Sequence, residues 1–270
     1  MNPLNPANRV GMRTPMATPI VGRSLPLGTR LAMVLRLFAI QGVWNYETML
    51  GNGIAFAMEP ALRRLPGGRG GEAYREAMAR HAGYFNAHPY LAALAVGALA
   101  RAELDGVKPA QIERFRVAAP GPLGSVGDRL VWAGWLPLCS ALGLLAFGLG
   151  VSPAGVLLVF LGSFNAGHVA LRLWGLQAGW RDGLRVAQAL GTPVLRQGPA
   201  HVARATAFVA GIALPVAAQG IIGPGRAVLG AALAATAVGA VGITLLHGRI
   251  EGWRLAIVIL AAFVLYSMVR

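Results

Sequence analysis

The sequence predicts an all-α, polytopic integral membrane protein, with re-entrant or broken helices in the first half and transmembrane helices in the second. Three observations predict it. The chain is 56% hydrophobic and only 13% charged, with a mean hydropathy of +0.58, far from the balance of a soluble domain. Long apolar runs alternate with short segments that carry arginine, as membrane orientation favours. The stretch Gln41–Ala61 reads as an inside-out helix: at ~100° per residue, Gln41, Asn45, Thr48, Asn52 and Glu59 share one narrow face. Val43, Tyr46, Met49, Leu50, Ile54 and Met58 fill the remaining circumference. A soluble amphipathic helix has the opposite proportions. Amides lined up on an apolar helix suit a small wet cavity walled off from lipid. A half-buried helix whose amides satisfy neighbouring backbone groups fits the pattern equally well.

Composition also excludes function classes. One cysteine, Cys139, leaves no disulfide framework and no cysteine-based metal site within the chain. The formal net charge of +14 would suit nucleic acid, but the basic residues lie between apolar runs and not in an aromatic-interleaved module, which points to membrane orientation instead. A single lysine, Lys108, among 24 basic residues reflects composition bias and not mechanism.

Taken in order, residues 1–26 form a disordered basic leader. Met1–Arg36 holds five arginines and no acid, without an apolar h-region and cleavage site, so a secretory signal is not expected. The leader ends in an amphipathic helix, and its charge assigns it to the cytoplasm; a mitochondrial presequence is the competing reading. Residues 27–200 form the cavity-forming region. Pro66–Gly71 is a loop, Glu72–Tyr84 a helix charged on one side, and Phe85–Tyr90 a break. Leu91–Ala100 is apolar but too short to span, so it is re-entrant or buried. After a polar helix at Ala110–Val117, the Gly/Pro-rich Ala119–Asp128 reads as irregular backbone beside greasy helices, tolerated at depth only against protein or a cavity. An ordinary loop before a span is the alternative. Spans are expected at Leu136–Leu149 and Ala154–Trp174. Residues 201–270 supply C-terminal transmembrane helices at Thr206–Ile222, Ala227–Leu246 and Arg254–Val269, the first two hinged by Gly223-Pro224-Gly225.

Five motifs occur in register: WNYETM (Trp44–Met49), GIAFAMEPAL (Gly53–Leu62), FNAHPY (Phe85–Tyr90), GPLGSVGD (Gly121–Asp128) and RLWGLQAGW (Arg172–Trp180). Together, over about Leu35 to Gly191, they resemble the IID membrane subunit of the mannose/fructose/sorbose family of sugar phosphotransferase systems. LLHGRIEGW (Leu245–Trp253) is a weaker echo. The resemblance implies a multi-pass subunit of the bacterial inner (plasma) membrane, in a hetero-oligomer with a IIC subunit. It also implies a shared hexose path, soluble IIA and IIB proteins that carry the phosphohistidines, and phosphorylation of sugar by IIB. This chain would then bind and gate without covalent chemistry, and no catalytic residue or cofactor is expected. Thr48, Glu59 and Arg129 depart from the family's usual residue types. They motivate an alternative, a non-transporting membrane scaffold or sensor for phosphotransferase signalling.

The candidate sugar-binding residues are Gln41, Trp44, Asn45, Asn52, His88 and Asp128. Amides both donate to and accept from hydroxyls, and Trp44 lies nearer the polar stripe than Tyr46 does, ready to stack on a sugar face. Asp128 is either an intramembrane acid paired with Arg129 or sugar, or a helix N-cap. His88, before Pro89, is extended and takes a cavity or structural hydrogen bond in preference to a phosphoryl group. His81, His201 and His247 are expected in solvent, and Asn165 and His168 to bond between helices. No metal-ligand spacing is visible.

Overall fold

The computed structural model describes residues 25–186 and 193–222, with positions 230 and 238. Among them the regular structure is helical, with two isolated β-bridges and no strand. Helix α1 (Leu27–Phe38) buries Met33 and Leu37 and ends with Arg36 in its last turn, a cation placed favourably against the helix dipole.

The chain does not then enter the expected continuous helix. Residues 39–50 are turns, and α2 starts only at Gly51 and runs to Leu62. Two local causes are visible. The Asn45 Oδ1 accepts from the backbone N–H groups of Glu47 and Thr48, an alternative partner that competes with helical pairing. Met49 takes φ 51°, a left-handed conformation that a right-handed helix does not admit. The polar stripe from Gln41 to Glu59 is therefore not one helix face. Its first half is a folded loop tied to residues 83–85: Leu50 N donates to Phe85 O at 3.0 Å, and Phe85 N to Thr48 O at 3.1 Å.

Helix α2 is buried along almost its whole length, including Glu59 and Pro60, and packs against α1, α3 (Glu72–Ala82) and α4 (Ala92–Leu104). The apolar Leu91–Ala100 run is thus the centre of a protein core, within α4. The backbone of α4 touches that of α8 (Pro153–Asp182) through glycines. A Cβ on Gly97 would stand 2.7 Å from Trp180 N, and one on Gly179 would stand 2.9 Å from Ala98 N. Small residues allow this approach between apolar helices.

Helices α5 (Pro109–Ala118) and α6 (Pro120–Gly127), a π-helical segment (Asp128–Trp135) and α7 (Leu136–Gly148) follow one another in a run of 40 residues. The Gly/Pro-rich stretch expected as irregular backbone is therefore helical. Pro120 occupies the first position of α6, where a missing N–H breaks no intrahelical bond. The π segment ends two residues before Pro137, which removes a donor and crowds the preceding turn.

Three helical runs are long and apolar enough to cross a membrane: Pro109–Gly148, Pro153–Arg185 and Leu195–Gln219. They contain the span expected at Leu136–Leu149 save Leu149 itself, the one at Ala154–Trp174 and most of the one at Thr206–Ile222, each run beginning N-terminal to its apolar stretch. The last belongs to α9 (Pro193–Ile222). The leader, the Gly223–Gly225 turn and the expected spans Ala227–Leu246 and Arg254–Val269 lie outside the described residues.

The chain divides into two compact units. One holds the described residues of 1–136 and 163–203, the other those of 137–162 and 204–270. The first contains the main core and every sequence-predicted site residue.

Candidate functional site

Four of the predicted residues, Gln41, Trp44, Asn45 and Asn52, gather on and just beyond the 39–50 loop. Asn45 has its amide committed there. Its Oδ1 accepts from Glu47 N (3.0 Å) and Thr48 N (2.9 Å), and its Nδ2 donates to Val43 O (3.3 Å) and Thr48 Oγ1 (3.0 Å). Asn52 Nδ2 donates to the same Thr48 hydroxyl at 3.2 Å. Thr48 is thus the hub of this amide network. Gln41 is exposed, as are Trp44 and Tyr46, whose rings meet edge-to-face at 4.8 Å.

Phe85, bonded to this loop, lies three residues before His88. The His88 ring is 2% exposed and packs against Gly127, the only residue type that leaves it room: a Cβ there would come within 2.9 Å of His88 Nδ1. Tyr90 N donates to His88 Nδ1 at 3.2 Å, which fixes the tautomer with the proton on Nε2. That Nε2 is buried with no hydrogen-bond partner. Burial, then the nearby Arg172 charge, pushes the His88 pKa down to about 4. His88 is therefore a neutral, dry, unpaired donor at neutral pH, and such groups are uncommon in folded proteins.

An aromatic group surrounds it. The Tyr90 ring lies 5.0 Å from His88, Trp132 lies 5.1 Å from His88 and 5.7 Å from Tyr90, and His168 stacks on Tyr90 at 5.0 Å. The Arg172 guanidinium sits 4.2 Å from the Tyr90 centroid, a distance for strong cation–π attraction. Arg172 is 4% exposed; it donates to Leu37 O (3.2 Å) and His168 Nδ1 (2.6 Å). The other His168 nitrogen is 2.7 Å from Asn165 Oδ1. Among the described residues Arg172 is in no ion pair. A buried cation held by neutral partners, beside a buried unpaired N–H, makes a place for an electronegative ligand atom. Trp132, on the π segment, is the exposed edge of this group. Asn165 and His168 bond within their own helix, while His168 reaches Tyr90 and Phe38 by ring contact.

Asp128 stands apart. It is exposed at the junction of α6 and the π segment, so it neither caps a helix after a loop nor sits buried beside Arg129, whose Nε donates to Ser125 O at 3.2 Å.

Two further charged clusters hold the core together. Glu59, buried, accepts from Arg36 at 2.8 Å, Arg63 at 2.6 Å and Arg69 at 3.0 Å. Burial raises its pKa, but hydrogen bonds from Arg63 and Arg69 and the Arg36 charge outweigh that and hold it at about 2. Glu59 is thus a structural clasp between α1, α2 and the 68–70 turn. His81, expected in solvent, is fully buried: Nε2 lies 2.8 Å from Glu103 and Nδ1 lies 3.2 Å from Arg116. Burial keeps its pKa below the ordinary value despite Glu103. His201 is exposed on α9, and His247 lies outside the described residues. No group of three metal-ligating side chains occurs among the described residues.

Tyr90, Trp132 and Arg172 are not among the sugar-binding residues expected from sequence. Tyr90 and Arg172 stand inside the five motifs, and an arginine within an apolar run was a usable signal. Trp132 carried none, because its direction depends on the π segment.

Residues 25–212 match the family described as PTS system mannose/fructose/sorbose family IID component. The chain is 33% identical over 171 residues to the mannose-specific EIID component of Escherichia coli K12, covering 60% of this chain and 58% of that protein. It is 32% identical to the fructose permease IID component of Bacillus subtilis (59% and 58% covered) and 32% identical to the sorbose-specific EIID component of Klebsiella pneumoniae (65% and 64%). The match thus spans under two thirds of the length of these relatives. A solved structure titled only as a membrane protein aligns with a TM-score of 0.61 at 29% identity, covering 70% of each chain. A chain in a complex of the mannose transporter ManYZ with microcin E492 shares the fold, with a TM-score of 0.55 at 23% identity over 91% of this chain and 98% of that one. On the match across residues 25–212, with helices of spanning length in the same region, the chain belongs to the mannose/fructose/sorbose PTS family as a IID component.

Proposed function

We propose that this chain is the IID subunit of a sugar permease. With a IIC subunit it forms the membrane path for hexose uptake, coupled to phosphorylation of the sugar by a IIB protein that IIA recharges. The observation that carries the reading is the His88–Tyr90–Trp132–Arg172 group. It offers what a sugar needs: aromatic surface for the ring face, and buried donors, His88 Nε2 and Arg172, for hydroxyl oxygens. Gln41, Trp44 and Asn52 line the adjoining loop, and Asn45 shapes it. The chain contributes binding and gating, the arginine-rich leader faces the cytoplasm, and the protein resides in a bacterial plasma membrane.

The test is uptake and vectorial phosphorylation of labelled mannose, fructose and sorbose. It uses membranes that contain this chain, IIC and the soluble proteins, and compares wild type with Tyr90→Ala and Arg172→Gln, with IIC co-purification measured in parallel. Transport by wild type and its loss in variants that still assemble is the expected result. Unchanged transport in both variants would remove this group from the path. No transport of any sugar by an assembled wild-type complex would sink the permease reading.

A further inference from the structure

Behind the proposed sugar site lies a buried polar chain that the site itself does not use. Arg116, on α5, is 3% exposed. One of its terminal nitrogens donates to Gly83 O at 3.0 Å and Tyr84 O at 3.4 Å, and the other to His81 O at 3.4 Å. His81 O is among the last four carbonyls of α3, which find no intrahelical donor. The nitrogen that reaches it also lies 3.2 Å from His81 Nδ1. A guanidinium offers donors only, so Nδ1 accepts and the His81 proton sits on Nε2, 2.8 Å from Glu103 Oε1. Arg80 is a second donor to that carboxylate. Glu103 on α4, His81 on α3 and Arg116 on α5 thus form one hydrogen-bonded chain that ends on the backbone of residues 81–84. That backbone is where the parts of the site join. Gly51, at the start of α2, abuts it so closely that a Cβ would stand 2.6 Å from Ala82 O. Phe85 follows at once, donating to Thr48 O at 3.1 Å and accepting from Leu50 N at 3.0 Å. Thr48 holds Asn45 and Asn52, and His88 is three residues past Phe85.

We infer that Arg116 is a positioning residue for the proposed sugar site. Oriented by His81 and Glu103, it fixes residues 81–84 and through them the Asn45–Thr48–Asn52 network and His88. The inference rests on the permease reading of the His88 group and adds to it residues that touch no sugar. Capping α3 does not by itself account for the arrangement. A cap needs one donor per open carbonyl, which water supplies at a surface. Here a donor fork of fixed geometry is buried and held from behind by a neutral imidazole. Its reach extends past the helix end to Gly83 and Tyr84, the two residues that lead into Phe85. A misplacement of ~1 Å in a functional constellation can cost about 100-fold. A segment gripped at three of its carbonyls has little freedom to move that far.

The test uses the full-length chain with IIC and the soluble proteins. It measures KM and maximal rate for whichever of mannose, fructose and sorbose the wild type takes up fastest, and hydrogen exchange of the purified chain–IIC complex. Arg116→Lys keeps the charge and loses the fork. It is expected to raise KM at least fivefold with the maximal rate within twofold, and to speed amide exchange at least tenfold at residues 39–50 and 83–88 while other segments stay protected. Two variants that leave the arginine in place separate positioning from folding. His81→Asn keeps an acceptor where Nδ1 stood and should stay within twofold of the wild-type KM. His81→Gln keeps a donor where Nε2 stood, loses the acceptor for Arg116 and should raise KM at least threefold. Ile112→Ala, buried on the same helix, should lower the melting temperature with KM unchanged. A wild-type KM in Arg116→Lys that still assembles overturns the inference, and so do His81 variants with equal KM. An Ile112→Ala protein whose KM rises as far as that of Arg116→Lys assigns the effect to stability and overturns it too. If Arg116→Lys does not assemble, the His81 pair decides. If the assembled wild type takes up no sugar, the permease reading fails, and hydrogen exchange decides the positioning claim: unchanged exchange at residues 39–50 and 83–88 in Arg116→Lys and His81→Gln overturns it.

Discussion

His88 and Arg172 bring their polar groups to the same ring, Tyr90, and neither finds an anionic partner among the described residues. Removing one partner of a buried hydrogen bond costs about 1–2 kcal/mol and more when a group is stranded. His88→Leu is therefore expected to lower sugar uptake about five- to thirty-fold with assembly intact, whereas His88→Gln, which keeps an N–H, retains most of it. Rates of mannose uptake in membrane vesicles check this, and phosphate trapped on His88 of the wild-type chain would contradict the binding role. The same residue sets an acid sensitivity. Its folded pKa of about 4 lies below the ordinary 6.5, so the unfolded chain takes up the proton first. The stabilisation is complete above pH 6.5 and is lost as pH falls toward 4, a loss on the order of 3 kcal/mol. Glu59, held at about 2 against an ordinary 4.5, adds a second loss only below pH 4.5. The melting temperature of detergent-solubilised protein should thus fall between pH 6.5 and 4, and His88→Gln should reduce that fall without abolishing it, because buried His81 is also held below its ordinary pKa.

Between elements, the tightest constraint is the backbone contact of α4 with α8. Gly97 and Gly179 face each other's helices with no space for a Cβ, and overpacking of this kind costs about 1–3 kcal/mol. This contact also sets where α8 presents Arg172, seven residues before Gly179 and so about two turns away. Gly97→Ala is expected to lower the melting temperature and, by shifting α8, to reduce transport more than the lost stability accounts for. A Gly97→Ala protein with wild-type melting and uptake would show that the contact yields freely. The π segment acts at the same scale. Its wider turn shifts the angular register of Trp132 relative to α6, and the turn is placed next to Pro137, so the direction of an aromatic residue at the site follows from a local backbone irregularity.

For the molecule as a whole, the asymmetric charge of the sequence makes the leader cytoplasmic in the proposed topology. Cys139 is buried, so it interferes little with thiol labelling. A cysteine introduced at Arg13 in a Cys139→Ala background is expected to resist an impermeant maleimide in intact cells and to react in inverted vesicles. Reaction in intact cells would reverse the assignment.

The sequence alone determined the class and the family. Apolar runs of spanning length depend on composition and local periodicity, which need no tertiary information, and five motifs in register mark the IID pattern. It also offered His88 as a candidate, read as extended because a proline follows it. The structure decided the rest, because it depends on contacts distant in sequence. The Gln41–Ala61 stripe failed since an Asn45 side chain and the left-handed Met49 redirect the backbone, and periodicity does not register such local competition. Ala119–Asp128 looked irregular because its prolines and glycines disfavour helix in isolation, yet Pro120 falls where a helix tolerates it. Glu59 looked like part of a polar stripe, but three arginines, from α1 and from the chain after α2, close around it. Tyr90, Trp132 and Arg172 converge from a loop, a π turn and a spanning helix; only the packing of α8 on the core brings Arg172 to the ring of Tyr90.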